Sequence, residues 1–322
     1  AEEGRMTDSI LTPHLADAMV RVTEHTALAA SREVGRGDER RADQAAVDAM
    51  RTAFNHVAFR GRVVIGEGER DEAPMLFIGE EVGQGTGPEI DIALDPLEGT
   101  TLTAKAMANA LAVLAIAPRG GLLHAPDTYM DKLAVGPGYG EGLVDLDATP
   151  AENVAALAKA KGVPVAEITA CVLDRPRHAD IIESLRSAGA RIKLISDGDV
   201  AGVINTTDPA TGVDIYLGQG GAPEGVLAAA ALKCVGGQMQ GRLVFRNDEE
   251  RKRAERAGVT DFDRKYDLNG LASGETVFCA TGVTDGDLLE GVRPTRSGHS
   301  THTLVMTSAD GMVRHIRSFI RA

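Results

Sequence analysis

Tryptophan is absent, aromatic residues make up 3% of the chain, and only three cysteines occur in 322 residues. Few aromatics leave little on which unpaired bases could stack, which weighs against a single-strand nucleic-acid binder. Cys171, Cys234 and Cys279 stand far apart in apolar stretches and form no CxxC pair. Such a sparse, odd set fits buried thiols in a reducing cytoplasm better than disulfides or a zinc site. Positive charge is also in deficit, with 34 Lys plus Arg against 47 Asp plus Glu and a net charge of −13. Affinity for a polyanion comes largely from Lys and Arg at its phosphates, so a general nucleic-acid partner is not expected. The longest apolar run, Ala110 to Pro118, is far shorter than the ~20 residues that span a bilayer, so no membrane is expected either. The opening residues Ala1-Glu2-Glu3-Gly4-Arg5 lack the pattern of a secretory leader, and Met6 reads as the start.

What is present is an Ala/Val/Leu/Ile core with 37 glycines, enough for many tight turns. Thr12 before Pro13 caps a helix through residue 34, and a second helix is expected from about Arg41 to Val57. Strands are expected at Arg62–Gly66, Ile90–Leu94 and Ala110–Ala117, with a short helix at Ala73–Glu81. From about Glu152 helices and strands alternate through Val235, a βαβα rhythm that predicts a mostly parallel sheet. The charged segment Arg246–Leu268 reads as an exposed excursion, followed by strands at Val277–Thr281, Thr303–Thr307 and Val313–Phe319. The expected domains are residues 6–160 and 161–322, with a soft boundary near 145–165 and the C-terminal strands able to pack back on the first.

Three strand ends carry the chemistry. Asp95-Pro96-Leu97-Glu98-Gly99-Thr100 places two hard oxygen ligands three residues apart, which suits Mg²⁺ or Mn²⁺ with water and phosphate oxygens. Thr100 could hold a water by its hydroxyl; the plainer alternative is an Asx-type turn with an exposed Glu. Ile65-Gly66-Glu67-Gly68-Glu69-Arg70-Asp71-Glu72 crowds acids that repel unless solvated or neutralised by cations, and Glu67 lies between two glycines. Gly218-Gln219-Gly220-Gly221-Ala222-Pro223-Glu224-Gly225 joins a glycine-rich turn to a helix start, where backbone N–H groups favour anions and Glu224 adds a carboxylate. A solvated loop and an ordinary capped helix are the bland readings of these two. His299 and His302 fit packing or solvent-facing roles better than metal binding, and Arg36-Gly37-Asp38 reads as a helix-ending turn.

Together these motifs resemble the class II, GlpX-type fructose-1,6-bisphosphatases. The Asp-Pro-x-Asp/Glu-Gly-Thr element is shared with the wider lithium-sensitive phosphatase superfamily. Gly35-Arg36-Gly37-Asp38, Asp71–Leu76, Ala125–Met130, Pro176-Arg177-His178 and Ser196–Asp199 resemble class II itself, and the likeness runs from about residue 15 to 318. The resemblance implies an α/β, layered αβαβα sandwich, with a mixed sheet in the N-terminal half and a mostly parallel one in the C-terminal half. It implies a metal and catalytic N-terminal half, and a C-terminal half that binds sugar phosphate and supplies one metal ligand. Two or more Mg²⁺ or Mn²⁺ ions on Asp43, Glu67, Asp95, Glu98 and Glu224 are implied, with Thr100, Asp43 and Asp71 catalytic. Substrate contacts are implied for Glu98, Gly99, Thr100, Tyr129, Arg175, Pro176, Arg177, Asp197, Gly198, Asp199 and Gly221, with Lys132 a further point charge for phosphate. Glu39 and Arg175 both stand where relatives carry lysine. The implied reaction is hydrolysis of the 1-phosphate of fructose-1,6-bisphosphate in gluconeogenesis, by a cytoplasmic homodimer or homotetramer. Sedoheptulose-1,7-bisphosphate, inositol monophosphate, and a non-catalytic sensor of Mg²⁺ or sugar phosphate are the alternatives.

Overall fold

The computed structural model describes residues 9–69 and 72–321. In chain order, α1 (Pro13–Ser31) and α2 (Glu39–Phe54) precede β1 (Arg60–Ile65), β2 (Glu81–Val82), β3 (Glu89–Glu98), the one-turn α3 (Thr100–Ala104) and β4 (Leu111–Pro118). Next come β5 (Tyr129–Val135), α4 (Pro150–Lys161), β6 (Thr169–Leu173), α5 (Ala179–Ser187), β7 (Arg191–Ile195) and α6 (Asp199–Ile204). They are followed by β8 (Ile215–Gly221), α7 (Ala222–Val235), β9 (Gln238–Val244), α8 (Asp248–Arg256), β10 (Lys265–Asp267) and α9 (Leu268–Leu271). The chain closes with β11 (Val277–Gly282), β12 (Arg293–Thr295), β13 (Gly298–Thr307) and β14 (Met312–Arg321). No helix among the described residues is long and apolar enough to cross a membrane.

The fold is α/β and separates into two compact units, residues 1–123 with 272–322 and residues 124–271. The division therefore falls at 123/124 and 271/272 rather than at 160/161, which is the end of α4. The last strands return to the first unit because β11 pairs with β4 along its whole length, from Val277↔Ile116 to Gly282↔Leu111.

In the first unit the sheet runs β12-β13-β11-β4-β3-β1-β2, with β14 on the other side of β13. Thr12 Oγ1 accepts the Leu15 N–H at 3.2 Å and so starts α1, with Pro13 at a position that needs no donor. Leu15, Met19 and Val22 of α1 and Val47, Met50 and Phe54 of α2 are buried on Ile90, Ile92, Leu114, Ile116 and Cys279 of the sheet. The helix expected at Ala73–Glu81 does not form. Leu76 adopts a left-handed backbone (φ 55°), and the segment turns back on β1 instead. Glu67 N–H donates to Leu76 O at 2.9 Å, Ile78 N–H to Gly68 O at 2.9 Å and Gly79 N–H to Val63 O at 2.7 Å.

The second unit holds the sheet β10-β9-β5-β8-β6-β7. Only β6–β7 and β6–β8 are parallel; β5–β8, β5–β9 and β9–β10 are antiparallel, so this sheet is mixed rather than mostly parallel. The βα rhythm reported the parallel part correctly and missed β5 and β9, which extend the sheet outward from the β8 edge. Leu133 and Val135 of β5 join a core with Val154 and Leu157 of α4 and Leu185 of α5. α7 is buried nearly all round through its run of alanines, as expected for a helix without a polar face. The charged excursion contains the exposed helix α8 and the short strand β10.

Candidate active site

In the first unit four expected residues lie toward the carboxyl ends of β1 and β3. β1 and β3 are parallel neighbours with Ile65 opposite Ala93, so Glu67 and Asp95 each lie two residues beyond one matched pair. The carboxyl ends of such strands are where open α/β sheets place ligands. Glu67 is fixed by its own N–H to Leu76 O, and a Cβ on Gly66 would come within 2.1 Å of that same oxygen. Asp95 and Glu98 lie within β3 rather than on a turn after it. Asp95 faces Val113 while Glu98 faces Leu111, so one extra residue bulges out between them. Pro96, which has no N–H to give the ladder, is the natural occupant of that bulge. Asp95 Oδ1 accepts the Leu97 N–H at 3.1 Å and Glu98 is buried. Gly99, at φ 97°, turns the chain into α3, whose first residue is the half-buried Thr100.

Asp43 projects from α2, which is capped by Asp38 through the Arg41 N–H at 3.0 Å. Burial holds its carboxyl above the usual range. Burial, and then the charge of Asp43, push Glu67 up to about 7. The Asp43 charge thus opposes ionisation of Glu67. Asp71 lies outside the described residues. Glu39 is the exposed first residue of α2.

The second unit assembles the expected sugar-phosphate residues around the end of β5. Tyr129 is paired across the ladder with Gly221 of β8. Arg177, in the turn Pro176–His178, donates from Nε and Nη2 to the Gln219 carbonyl at 3.2 and 2.8 Å, and its Cζ stands 4.9 Å from the Tyr129 ring centroid. Gln219 is held in turn by His178, whose Nε2 accepts the Gln219 N–H at 2.8 Å while Nδ1 lies 2.7 Å from Leu173 O. These partners place the ring proton on Nδ1, and burial lowers the imidazole pKa so that it stays neutral. Arg175 turns instead to the Asp174 carbonyl at 3.0 Å.

Asp197, Gly198 and Asp199 form the approach to α6, with Gly198 at φ 83°. Asp199 Oδ2 accepts from Lys132 Nζ at 2.5 Å, and Lys132 is 2% exposed. Lys132 is therefore the buried counter-ion of Asp199. Glu224 sits in the first turn of α7, one residue after Pro223. Its pKa is raised, first by burial and then by the Asp199 charge, with Lys132 opposing. A Cβ on Gly220 would meet Asp199 Oδ2 at 2.1 Å, and one on Gly221 would meet Glu224 Oε2 at 1.8 Å. These glycines let carboxylates lie against the backbone.

Among the described residues no group of three His, Cys, Asp or Glu is gathered tightly enough to hold a metal ion. The fit to a cation rests on single carboxyls in each unit. Glu224 Oε2 is shielded from solvent with no hydrogen-bond partner among the described residues, and Glu67 is crowded by Asp43. A hard divalent cation supplies the positive charge that such oxygens lack. His302 packs as expected: its Nδ1 accepts the Glu290 N–H at 3.0 Å and its Nε2 lies 3.1 Å from His315 Nδ1. Arg246 was missed by sequence reasoning. Its Cζ lies 4.7 Å from the Tyr129 ring centroid, and the surrounding run of charges masked it as a surface residue.

The sequence model of the family described as "Bacterial fructose-1,6-bisphosphatase, glpX-encoded" matches residues 13–320. A Synechococcus sp. (strain JA-3-3Ab) protein named D-fructose 1,6-bisphosphatase class 2/sedoheptulose 1,7-bisphosphatase is 46% identical over 323 residues, covering 92% of this chain and 93% of its own. A Prochlorococcus marinus (strain NATL1A) protein of the same name is 44% identical over 314 residues, covering 93% and 94%.

Proposed function

Because the chain belongs to the bacterial, glpX-encoded fructose-1,6-bisphosphatase family, we propose that it hydrolyses the 1-phosphate of fructose-1,6-bisphosphate to fructose-6-phosphate and phosphate. It is a phosphoric monoester hydrolase by that membership. The observation that supports the reading is the placement of Glu67, Asp95, Glu98 and Thr100 toward the carboxyl ends of the neighbouring strands β1 and β3, with the Asp43 charge acting on Glu67. Sedoheptulose-1,7-bisphosphate is a second substrate in this reading, since both relatives carry that activity in their names.

Asp43, Glu67, Asp95, Glu98 and Glu224 are the residues that would hold two or more Mg²⁺ or Mn²⁺ ions. Bound there, such ions lower the pKa of a water and neutralise phosphoryl oxygens. Thr100 orients the attacking water through Oγ1, with Asp43 or Asp71 accepting its hydroxyl proton. The Gly99 and Thr100 backbone cradles the reacting phosphate. Arg175 and Arg177 hold the remote phosphate, Arg177 with its Nε–Nη2 edge already engaged by Gln219. Asp197 and Asp199 accept from sugar hydroxyls; Asp199 does so through Oδ1, because Oδ2 is taken by Lys132. A cytoplasmic setting is supported by three free, buried cysteines, and a homodimer or homotetramer by the open edge of β14.

Asp95→Asn and Thr100→Ala are the test. Each should lower kcat/KM for fructose-1,6-bisphosphate at least ~100-fold while leaving the folded protein intact by circular dichroism. Near-full activity in either variant would overturn the proposal.

A further inference from the structure

Two guanidinium groups stand over one ring. Arg177 Cζ lies 4.9 Å and Arg246 Cζ 4.7 Å from the Tyr129 centroid, and like charges do not gather on one face or edge without being held there. Both are held in the same manner. Arg177 gives Nε and Nη2 to the Gln219 carbonyl. Arg246 gives Nε to Glu250 Oε1 at 2.7 Å and Nη2 to the same oxygen at 2.5 Å, while its own backbone N–H donates to Glu250 Oε2 at 2.8 Å. Glu250 is fully buried and is itself tied to the α8 cap, its N–H donating to Asn247 Oδ1 at 3.0 Å. Each guanidinium thus has one edge anchored, and Nη1 of each has no protein acceptor among the described residues.

This is the arrangement that a phosphate asks for. Planar donor groups with their orientation fixed in advance lose little freedom on meeting its oxygens. Glu250 balances one of the two positive charges, and the exposed Asp127 acts on Arg246 through charge alone without accepting a hydrogen bond from it. The free Nη1 groups remain for an incoming dianion.

We propose that Arg246 is a substrate-binding residue which, with Arg177 and the Tyr129 ring, grips the phosphate remote from the scissile bond. The inference rests on the sugar-bisphosphatase reading above. Glu250 is then a positioning residue: it sets the guanidinium and does not touch substrate. The position of Arg246, two residues past the end of β9, puts this contact on a connection rather than in the sheet.

The test is a comparison of ligands that do and do not carry the remote phosphate. Loss of a charge-assisted pair predicts that Arg246→Ala raises KM for fructose-1,6-bisphosphate and Kd for fructose-6-phosphate about 10- to 100-fold. In the same variant kcat should stay within about threefold, and Kd for fructose-1-phosphate, which lacks the remote group, should not move. Arg246→Lys should recover part of the loss, and Glu250→Gln should show the same selective loss in milder form. Equal weakening toward both monophosphates, or no weakening toward fructose-6-phosphate, would overturn the proposal with the parent activity intact. A parent enzyme that turned over no sugar bisphosphate would overturn the functional reading and this one with it.

Discussion

Glu67 shows how far surroundings can move one side chain. Burial and the Asp43 charge push its pKa from 4.5 up to about 7 in the metal-free chain. The folded state then keeps a proton that the unfolded state has lost anywhere between these two values. Stability is therefore fully present below 4.5 and falls as pH rises through about 7. At 1.36 kcal/mol per unit, with allowance for residual solvent contact, the loss comes to about 2–3 kcal/mol. Urea unfolding of chelator-treated protein at about pH 5 and about pH 7.5 should show that fall. Glu67→Gln should flatten it, as should saturating Mg²⁺, which favours the ionised form. An equal slope in Glu67→Gln would place the titration elsewhere. Glu67 was legible from its flanking glycines and its acidic neighbours. Lys132 was legible only as a point charge for phosphate, because its partner Asp199 is distant in sequence and meets it only in the fold.

At the next level up, chemistry depends on strands that leave no room for side chains. β8 ends in Gly218-Gln219-Gly220-Gly221, and the Gly220 Cα lies against the Lys132–Asp199 pair. A Cβ there would come within 2.1 Å of Asp199 Oδ2 and 3.2 Å of Lys132 Nζ. Asp199 cannot swing away without breaking a buried ion pair, so the strain must be absorbed by backbone or by charge separation. Gly220→Ala should cost about 1–3 kcal/mol in denaturant unfolding and should also raise KM for the sugar bisphosphate. Gly140→Ala, where nothing lies within 4 Å, is the matched control and should change neither.

Periodicity found most of the same elements. It failed where long-range hydrogen bonds outweighed local preference. Residues 73–81 carry a helical pattern, yet the β1 carbonyl of Val63 and the Leu76 and Gly68 carbonyls claim or supply bonds that a helix would have used internally. β5 went unseen because the buried Lys132 breaks its apolar run, and β9 because only Met239, Gly241 and Leu243 mark its inward face, a glycine among them, while Gln238, Gln240 and Arg242 find polar partners outside it. The bulge in β3 could not be read either, since it is defined by pairing with β4 and not by Asp95–Glu98 themselves.

At the scale of the whole molecule, the testable seam for self-assembly is β14. Ten residues pair with β13 from Gly298↔Arg321 to Thr307↔Met312, and no strand among the described residues pairs with the other edge. A long open edge is a template for another strand, and most proteins blunt it with charge, proline or a covering element. Here one face is anchored inward: Arg314 bonds Asp17 at 2.8 Å, Ser318 bonds Glu24, and Ile316 packs on the core. The opposite face leaves Val313 at 44% and Phe319 at 76% exposure. These two are equally far from Ile316. A second copy related by a two-fold axis through Ile316 would therefore set Val313 against Phe319 of the partner subunit, twice over, and Met312 against Ile320 of the partner subunit. Faces match in such a pairing because the partnered residues have the same parity along the strand. Phe319→Asp would put two carboxylates into that pair of apolar contacts without touching the inward face. Light scattering on the eluting protein at about 10 µM should then show the parent as an assembly of even order and the variant reduced to half its mass or to monomer, since a buried unpaired charge costs several kcal/mol. A parent that runs as a monomer, or a variant that keeps the parent's mass, would rule out β14 as the seam, because no other substitution-sensitive contact is invoked to hold the two strands together.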